Sequence, residues 1–92
     1  MIKTTISYID EILEEHPEFK NEAALARHLN ISRQAISQYR HGSNMSPLVA
    51  LKVARLLDLH PMETISATME AQAMSEEEKT LWRECYHAYK KR

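Results

Sequence analysis

Residues 21–42 have the sequence NEAALARHLNISRQAISQYRHG, and this pattern predicts two short helices joined by a tight turn. Asn21 can cap the first helix, whose apolar residues recur at helical spacing. Asn30 follows, a residue that tolerates the left-handed conformation in which helices often end. Ser32 can cap the second helix, whose apolar residues again share one face. We therefore expect two short helices, each with its apolar residues on an inward face.

The second helix of this pair leaves a polar face toward solvent. Arginine and glutamine side chains match base edges in the major groove of DNA, and serine reaches bases or phosphates. We therefore predict DNA base contacts from Ser32, Arg33, Gln34, Ser37 and Gln38. The alternative interpretation is a solvated face of a helical bundle. The turn, the caps and the local charge all agree with DNA contact, which favours the first interpretation.

The charge distribution supports DNA contact although the formal net charge is only −1. Residues 1–19 carry one lysine against five carboxylates, a net charge of −4. Residues 20–55 carry six lysine and arginine residues against Glu22 alone, a net charge of +5. Contact with phosphates needs such a local basic surface, whatever the total charge. The predicted phosphate contacts are Asn21, Arg40, His41, Ser43 and Asn44.

The same stretch resembles the Cro/repressor-like helix-turn-helix regulators, the XRE-type family. Ala26 stands where the two helices of that motif cross closely, and residues 31–39 resemble its turn and recognition helix. Gly42 stands where the family leaves that helix. This chain departs from the family pattern at Asn30, which replaces a turn glycine, and at Arg40, where many members carry an acidic residue. The arginine makes the predicted DNA face more basic than is usual for the family.

The remaining sequence also predicts helices, because 43% of the residues are hydrophobic, only one is glycine, and no alternating β-branched run occurs. We expect an all-α fold in which residues 1–73 form a five-helix repressor-like DNA-binding domain and residues 74–92 add a C-terminal helix to the same compact unit. The resemblance covers about residues 5–73 of this chain. Pro17 should end the first helix, and Pro61 should begin the fifth. The fifth helix should turn inward its apolar residues Met62, Ile65 and Met69.

The C-terminal helix has a broad apolar and aromatic face. Ser75 and Glu78 form a capping box that predicts its start, and it should run to about Lys90. An apolar face of this breadth must be buried, either in the core of its own subunit or against another chain. We predict a dimer or partner interface formed by Leu81, Trp82, Cys85, Tyr86 and Tyr89. The helix resembles the Trp-bearing tail of a group of small phage-related regulators.

These resemblances imply a transcription regulator of phage or prophage type, a repressor that binds a palindromic operator in double-stranded DNA as a homodimer. The leading alternative is an antitoxin-like or adaptor protein. In that alternative the C-terminal helix binds another protein, and DNA binding serves autoregulation. A weaker alternative uses the helix-turn-helix fold for protein contacts alone, and the basic segment counts against it.

Other classes of function find little support in the sequence. Five histidines show no HxxxH pair, and Cys85 is the only cysteine, so we expect neither a metal site nor a cofactor. The serines lack a paired base, and there is no glycine-rich phosphate loop, so we expect no enzyme and no catalytic residues. No apolar run approaches membrane-spanning length, and the N-terminus does not resemble a signal peptide. With a single cysteine, these features suit a cytoplasmic protein without a membrane partner.

Overall fold

The computed structural model describes residues 2–90, and these residues form six α-helices and no strand. In chain order, α1 to α6 span Thr5–Glu15, Glu22–Leu29, Arg33–Arg40, Pro47–Leu57, Pro61–Gln72 and Glu76–Tyr89. The Cα radius of gyration is 12.9 Å, against about 12 Å for a compact domain of this length. The prediction of an all-α fold is confirmed. No helix among the described residues combines the length and the apolar character that a membrane crossing requires.

Each helix begins at a side chain that accepts a hydrogen bond from an otherwise unpaired backbone amide. The predicted caps Asn21, Ser32 and Ser75 accept from the amides of the third residue beyond them. Proline stands in the first turn of α4 and α5, where no amide hydrogen is needed. The residues that cap the amino ends of α1 to α6 are Thr4, Asn21, Ser32, Ser46, His60 and Ser75.

Two helices end at a residue in the left-handed conformation. Asn30 ends α2 with φ 59° and ψ 44°, and the amide of Ile31 donates to the carbonyl of Ala26 at 3.0 Å. Asp58 ends α4 in the same way, with φ 56°. This closure satisfies helix carbonyls that would otherwise lack a donor. The predicted role of Asn30 is therefore confirmed.

A single hydrophobic core joins the helices. Its largest wholly buried apolar side chains come from α1, α2, α3, α4, the loop before α4, and α6. These side chains are Tyr8, Ile9, Ile12, Leu25, Leu29, Ile36, Met45, Val53, Leu57 and Tyr86. Because α2 and α3 both contribute to this cluster, the core determines how the two helices are held relative to each other.

Helix α5 begins at Pro61 as predicted, but the residues expected on its inward face are not its most buried ones. Met62, Ile65 and Met69 are only half-buried, although Ile65 does pack against the core. Thr64 lies in their place and donates to the carbonyl of Ala50 at 2.9 Å, while Thr68 donates to the carbonyl of Thr64 at 2.9 Å. The buried carboxylate of Glu63 accepts the hydroxyl of Tyr8 at 2.8 Å. The hydroxyls of Thr64 and Thr68 are thus buried with a hydrogen-bond partner, whereas the buried hydroxyl of Ser66 in the same helix has none among the described residues.

Helix α6 packs mainly against α5 and places Tyr86 in the core. The Tyr86 side chain is wholly buried, and its hydroxyl accepts the backbone amide of Lys3 at 3.4 Å. This position corrects the prediction that Tyr86 lies in a subunit or partner interface, because the side chain is covered by its own chain. The neighbouring Tyr8 hydroxyl has a pKa raised far above its usual value by burial and by the Glu63 carboxylate.

Candidate nucleic-acid interface

Helix α3 presents one face to the core and the opposite face to solvent. Ile36 is wholly buried and Tyr39 is 7% exposed, and both pack into the cluster that α1 and α2 also form. Residues 30–32 connect α2 directly to α3. Because the two helices pack against each other and share the core, the position of the outer face of α3 is fixed relative to α2.

All five predicted base-contacting residues are exposed. The hydroxyl of Ser32 accepts the amide of Ala35 at 3.0 Å and can still donate its own hydrogen. Within residues 2–90, no side-chain hydrogen bond involves the other four predicted residues, Arg33, Gln34, Ser37 and Gln38. Their donors and acceptors therefore remain for an incoming partner.

The end of α3 leads into the next predicted contact segment through a tight turn. The amide of Gly42 donates to the carbonyl of Tyr39 at 3.1 Å, and the amide of Ser43 donates to the carbonyl of Gln38 at 3.0 Å. Gly42 has φ 101°, a conformation that strains other residues. This closure sets the direction of the loop between α3 and α4, which carries three of the predicted phosphate contacts.

That loop is anchored at its far end by a residue that the sequence analysis did not single out. Met45 is 1% exposed, and its amide donates to the hydroxyl of Thr5 at 3.1 Å. The sequence does carry a signal for the burial of Met45, because an apolar residue directly before a capping serine often packs against the first turns of the helix. The anchor leaves His41 and Ser43 exposed and Asn44 half-buried.

Asn21, another of the five predicted phosphate-contacting residues, lies at the amino end of α2. It is exposed, and its side-chain oxygen accepts the amide of Ala24 at 2.9 Å, which leaves its NH₂ group for another acceptor. A helix amino end also carries partial positive charge and unpaired amides. The local chemistry here suits an anion.

Arg40, the last of the predicted phosphate-contacting residues to be described, is already bound to two carboxylates. Its Nε donates to Glu22 Oε2 at 2.7 Å, and its Nη2 donates to Asp10 Oδ1 at 3.0 Å and also to Glu22. The hydrogen bond to Glu22, and next the bond to Asp10, raise the pKa of the Arg40 guanidinium. The expectation of a more basic face at this position needs correction, because two acidic side chains offset the charge.

The C-terminal helix keeps part of its apolar face open. Leu81 is 60% exposed and Tyr89 38% exposed, while Trp82 and Cys85 are half-buried. An open groove of about 390 Å³ runs along Glu78, Leu81, Trp82 and Cys85. The indole Nε1 of Trp82 donates to Glu78 Oε2 at 3.1 Å, which fixes one wall of this groove. Four of the five predicted interface residues thus reach the surface, and Tyr86 does not.

Among residues 2–90, no group of three histidine, cysteine or carboxylate side chains is placed to hold a metal ion. A scan of the chain against protein-family models and searches of curated proteins and of solved structures give no match.

Proposed function

We propose that the protein is a sequence-specific DNA-binding transcription regulator, in which α2 and α3 form a helix-turn-helix of the Cro/repressor type within a five-helix domain. The observation that carries the proposal is the outer face of α3. Four exposed side chains with unused hydrogen-bonding groups lie on a short helix whose other face is locked into the core. Such a helix can enter the major groove with its side chains against base edges.

In this mechanism the base contacts come from Ser32, Arg33, Gln34, Ser37 and Gln38. The phosphate contacts flank them and fix the position of α3 along the duplex. They come from the amino end of α2 and from the segment that follows α3, namely Asn21, Arg40, His41, Ser43 and Asn44. The closed turn at Gly42 and the buried Met45 support this assignment, because they hold the loop beside the exposed face of α3.

The exposed part of α6 supports a homodimer on a palindromic operator. A single helix-turn-helix covers one half-site, and pairing two copies makes the second contact effectively intramolecular. The proposed interface is the part of the predicted set that reaches the surface, Leu81, Trp82, Cys85 and Tyr89. A cytoplasmic repressor of phage or prophage type, acting by occlusion of a promoter, is the most specific form of the proposal.

A second candidate function comes from the same groove on α6. An apolar groove with a fixed indole wall could instead receive another protein, in which case the chain is an antitoxin-like or adaptor protein and DNA binding serves autoregulation. The homodimer closes this face in the absence of any other protein. The adaptor stays monomeric until its partner is added, so sedimentation of the purified chain distinguishes the two.

The proposal is tested by selecting bound fragments from random double-stranded DNA and measuring their affinity against salt. If a dimer neutralises on the order of six to ten phosphates, log K should fall against log salt with a slope of roughly −5 to −9. Gln34→Ala should relax the preference at one or two positions, at a cost of about 1–3 kcal/mol. Gln72→Ala, at an exposed glutamine of α5, is the matched control and should change neither. Failure to retain any fragment, or binding that ignores salt, would remove the basis of the proposal.

A further inference from the structure

Arg40 joins three helices at one point of the surface. It is the last residue of α3, and its guanidinium reaches Glu22, the first residue of α2, and Asp10 on α1. One arginine thus holds two carboxylates that come from different helices. Exposed ion pairs are weak when isolated, but an arginine held through two nitrogens has a fixed orientation.

The three hydrogen bonds leave one edge of the guanidinium unused. They engage Nε and Nη2, and none of them uses Nη1, which carries two further N–H donors. The Arg40 side chain is 40% exposed. In sequence, Glu22 directly follows Asn21 and Arg40 directly precedes His41, so the cluster adjoins both predicted phosphate-contacting segments. A guanidinium edge is a strong donor to a phosphate.

We infer that Glu22 and Asp10 are positioning residues that hold the Arg40 guanidinium so that its Nη1 edge donates to a DNA phosphate. The inference rests on the proposed function. An unheld arginine at a helix end loses side-chain entropy when it binds, whereas an arginine already held by two carboxylates loses less. The carboxylates therefore increase affinity although their own charge repels DNA.

Two effects of opposite sign make the inference testable. If Glu22 acted only through its charge, Glu22→Gln would remove a repulsion and tighten DNA binding. If Glu22 positions Arg40, the same substitution should weaken binding. Loss of a charge-assisted hydrogen bond costs roughly tenfold or more, so its misplacement should cost about threefold to tenfold. Asp10→Asn should change affinity in the same direction.

The experiment measures the affinity of the full chain for its selected DNA across a salt series, in the background of Arg40 and of Arg40→Ala. Arg40→Ala should weaken all sequences alike and should reduce the magnitude of the salt slope by about one per half-site. In the Arg40→Ala background, Glu22→Gln should no longer weaken binding and should tighten it. Glu14→Gln, at an exposed carboxylate of α1 outside the cluster, is the matched control and should not weaken binding in either background.

A reversal of sign between the two backgrounds supports the inference, because an effect of the Glu22 charge alone would not depend on Arg40, whereas a structural effect of the ion pair would lower the melting temperature. Melting temperatures of every variant ensure that affinities are compared between folded proteins, and Asp10→Asn serves if Glu22→Gln does not fold. The inference is overturned if Glu22→Gln tightens binding, or leaves it unchanged, while Arg40 is present. If the unsubstituted chain retains no DNA, the proposed function fails and the inference fails with it.

Discussion

Two residues of α6 should differ in how much their replacement by alanine destabilises the fold, because one is buried and the other is exposed. Tyr86 is wholly buried in the core, whereas Leu81 is 60% exposed. We expect Tyr86→Ala to lower the free energy of unfolding by about 3–5 kcal/mol, the usual cost of removing a buried aromatic ring. We expect Leu81→Ala to change it by about 0.5 kcal/mol or less, as substitutions of exposed residues do.

The expected loss in free energy of unfolding from Tyr86→Ala is large for a chain of 92 residues. Domains of this size have a free energy of unfolding of roughly 5–13 kcal/mol, so Tyr86→Ala removes a large fraction of it. Each kcal/mol corresponds to a shift of about 4–8 °C in Tm. Tyr86→Ala should therefore lower Tm by about 12 °C or more. Tyr86→Phe should cost far less, because it removes only the hydroxyl that accepts the amide of Lys3 at the long distance of 3.4 Å.

The assay combines denaturant unfolding, followed by circular dichroism, with sedimentation of the native proteins. Leu81→Ala should keep its Tm and weaken self-association, while Tyr86→Ala should lose stability at every protein concentration. Truncation after Ala73 removes Tyr86 and should destabilise the rest of the chain for the same reason. The reasoning is refuted if Tyr86→Ala unfolds like the unsubstituted chain but no longer associates, since Tyr86 would then lie between subunits.

Three further predictions concern a buried hydrogen-bonded pair, a paired histidine and a residue in the left-handed conformation. Tyr8→Phe should lower the free energy of unfolding by about 1.5–3 kcal/mol in denaturant titration, because a buried carboxylate loses its donor, whereas Tyr39→Phe should change it little. The pKa of His16 is raised by its bond to a backbone carbonyl and next by a carboxylate, so its stabilising effect is present below about pH 6.5 and is lost as pH rises through the folded pKa. His16→Gln should therefore cost more stability at about pH 6 than at pH 8, and an equal loss at both would contradict this assignment. Asn30→Val should lower stability by about 1–2 kcal/mol, since its φ is 59°, while Asn30→Gly should be tolerated in thermal melts.

The features that could be predicted from the sequence depend on neighbours within a few residues. The caps at Asn21 and Ser32 and the left-handed end at Asn30 need only the adjacent turn of helix, so residue type and spacing predict them. The exposure of the α3 face followed from the same local pattern. For this reason the position of the proposed DNA-binding residues agrees between sequence and structure, while their contacts with DNA remain a prediction.

The features that could not be predicted depend on partners far along the chain. Glu63 is buried because it meets Tyr8, which lies 55 positions earlier in the sequence. Tyr86 meets the backbone of Lys3 across 83 positions. A hydrophobic pattern assigns a carboxylate to the surface and does not tell which side of an aromatic stripe faces the core. These pairs explain the errors at α5 and at Tyr86.

The charge of the proposed DNA face also depends on partners far apart in the sequence, so a count along the chain does not give it. Counted along the chain, residues 1–19 are acidic and residues 20–55 are basic. In the folded protein, Asp10 from the acidic segment contacts Arg40 from the basic one, and Glu22 contacts it as well. Glu22 is already included in the count for residues 20–55, so it is Asp10 that makes this count overstate the net positive charge beside α3. For the proposed regulator, attraction to any DNA should be correspondingly modest, and discrimination should depend on the hydrogen bonds of the exposed α3 side chains. Specific binding would then exceed non-specific binding by a wide margin, because only the non-specific term rests on charge alone.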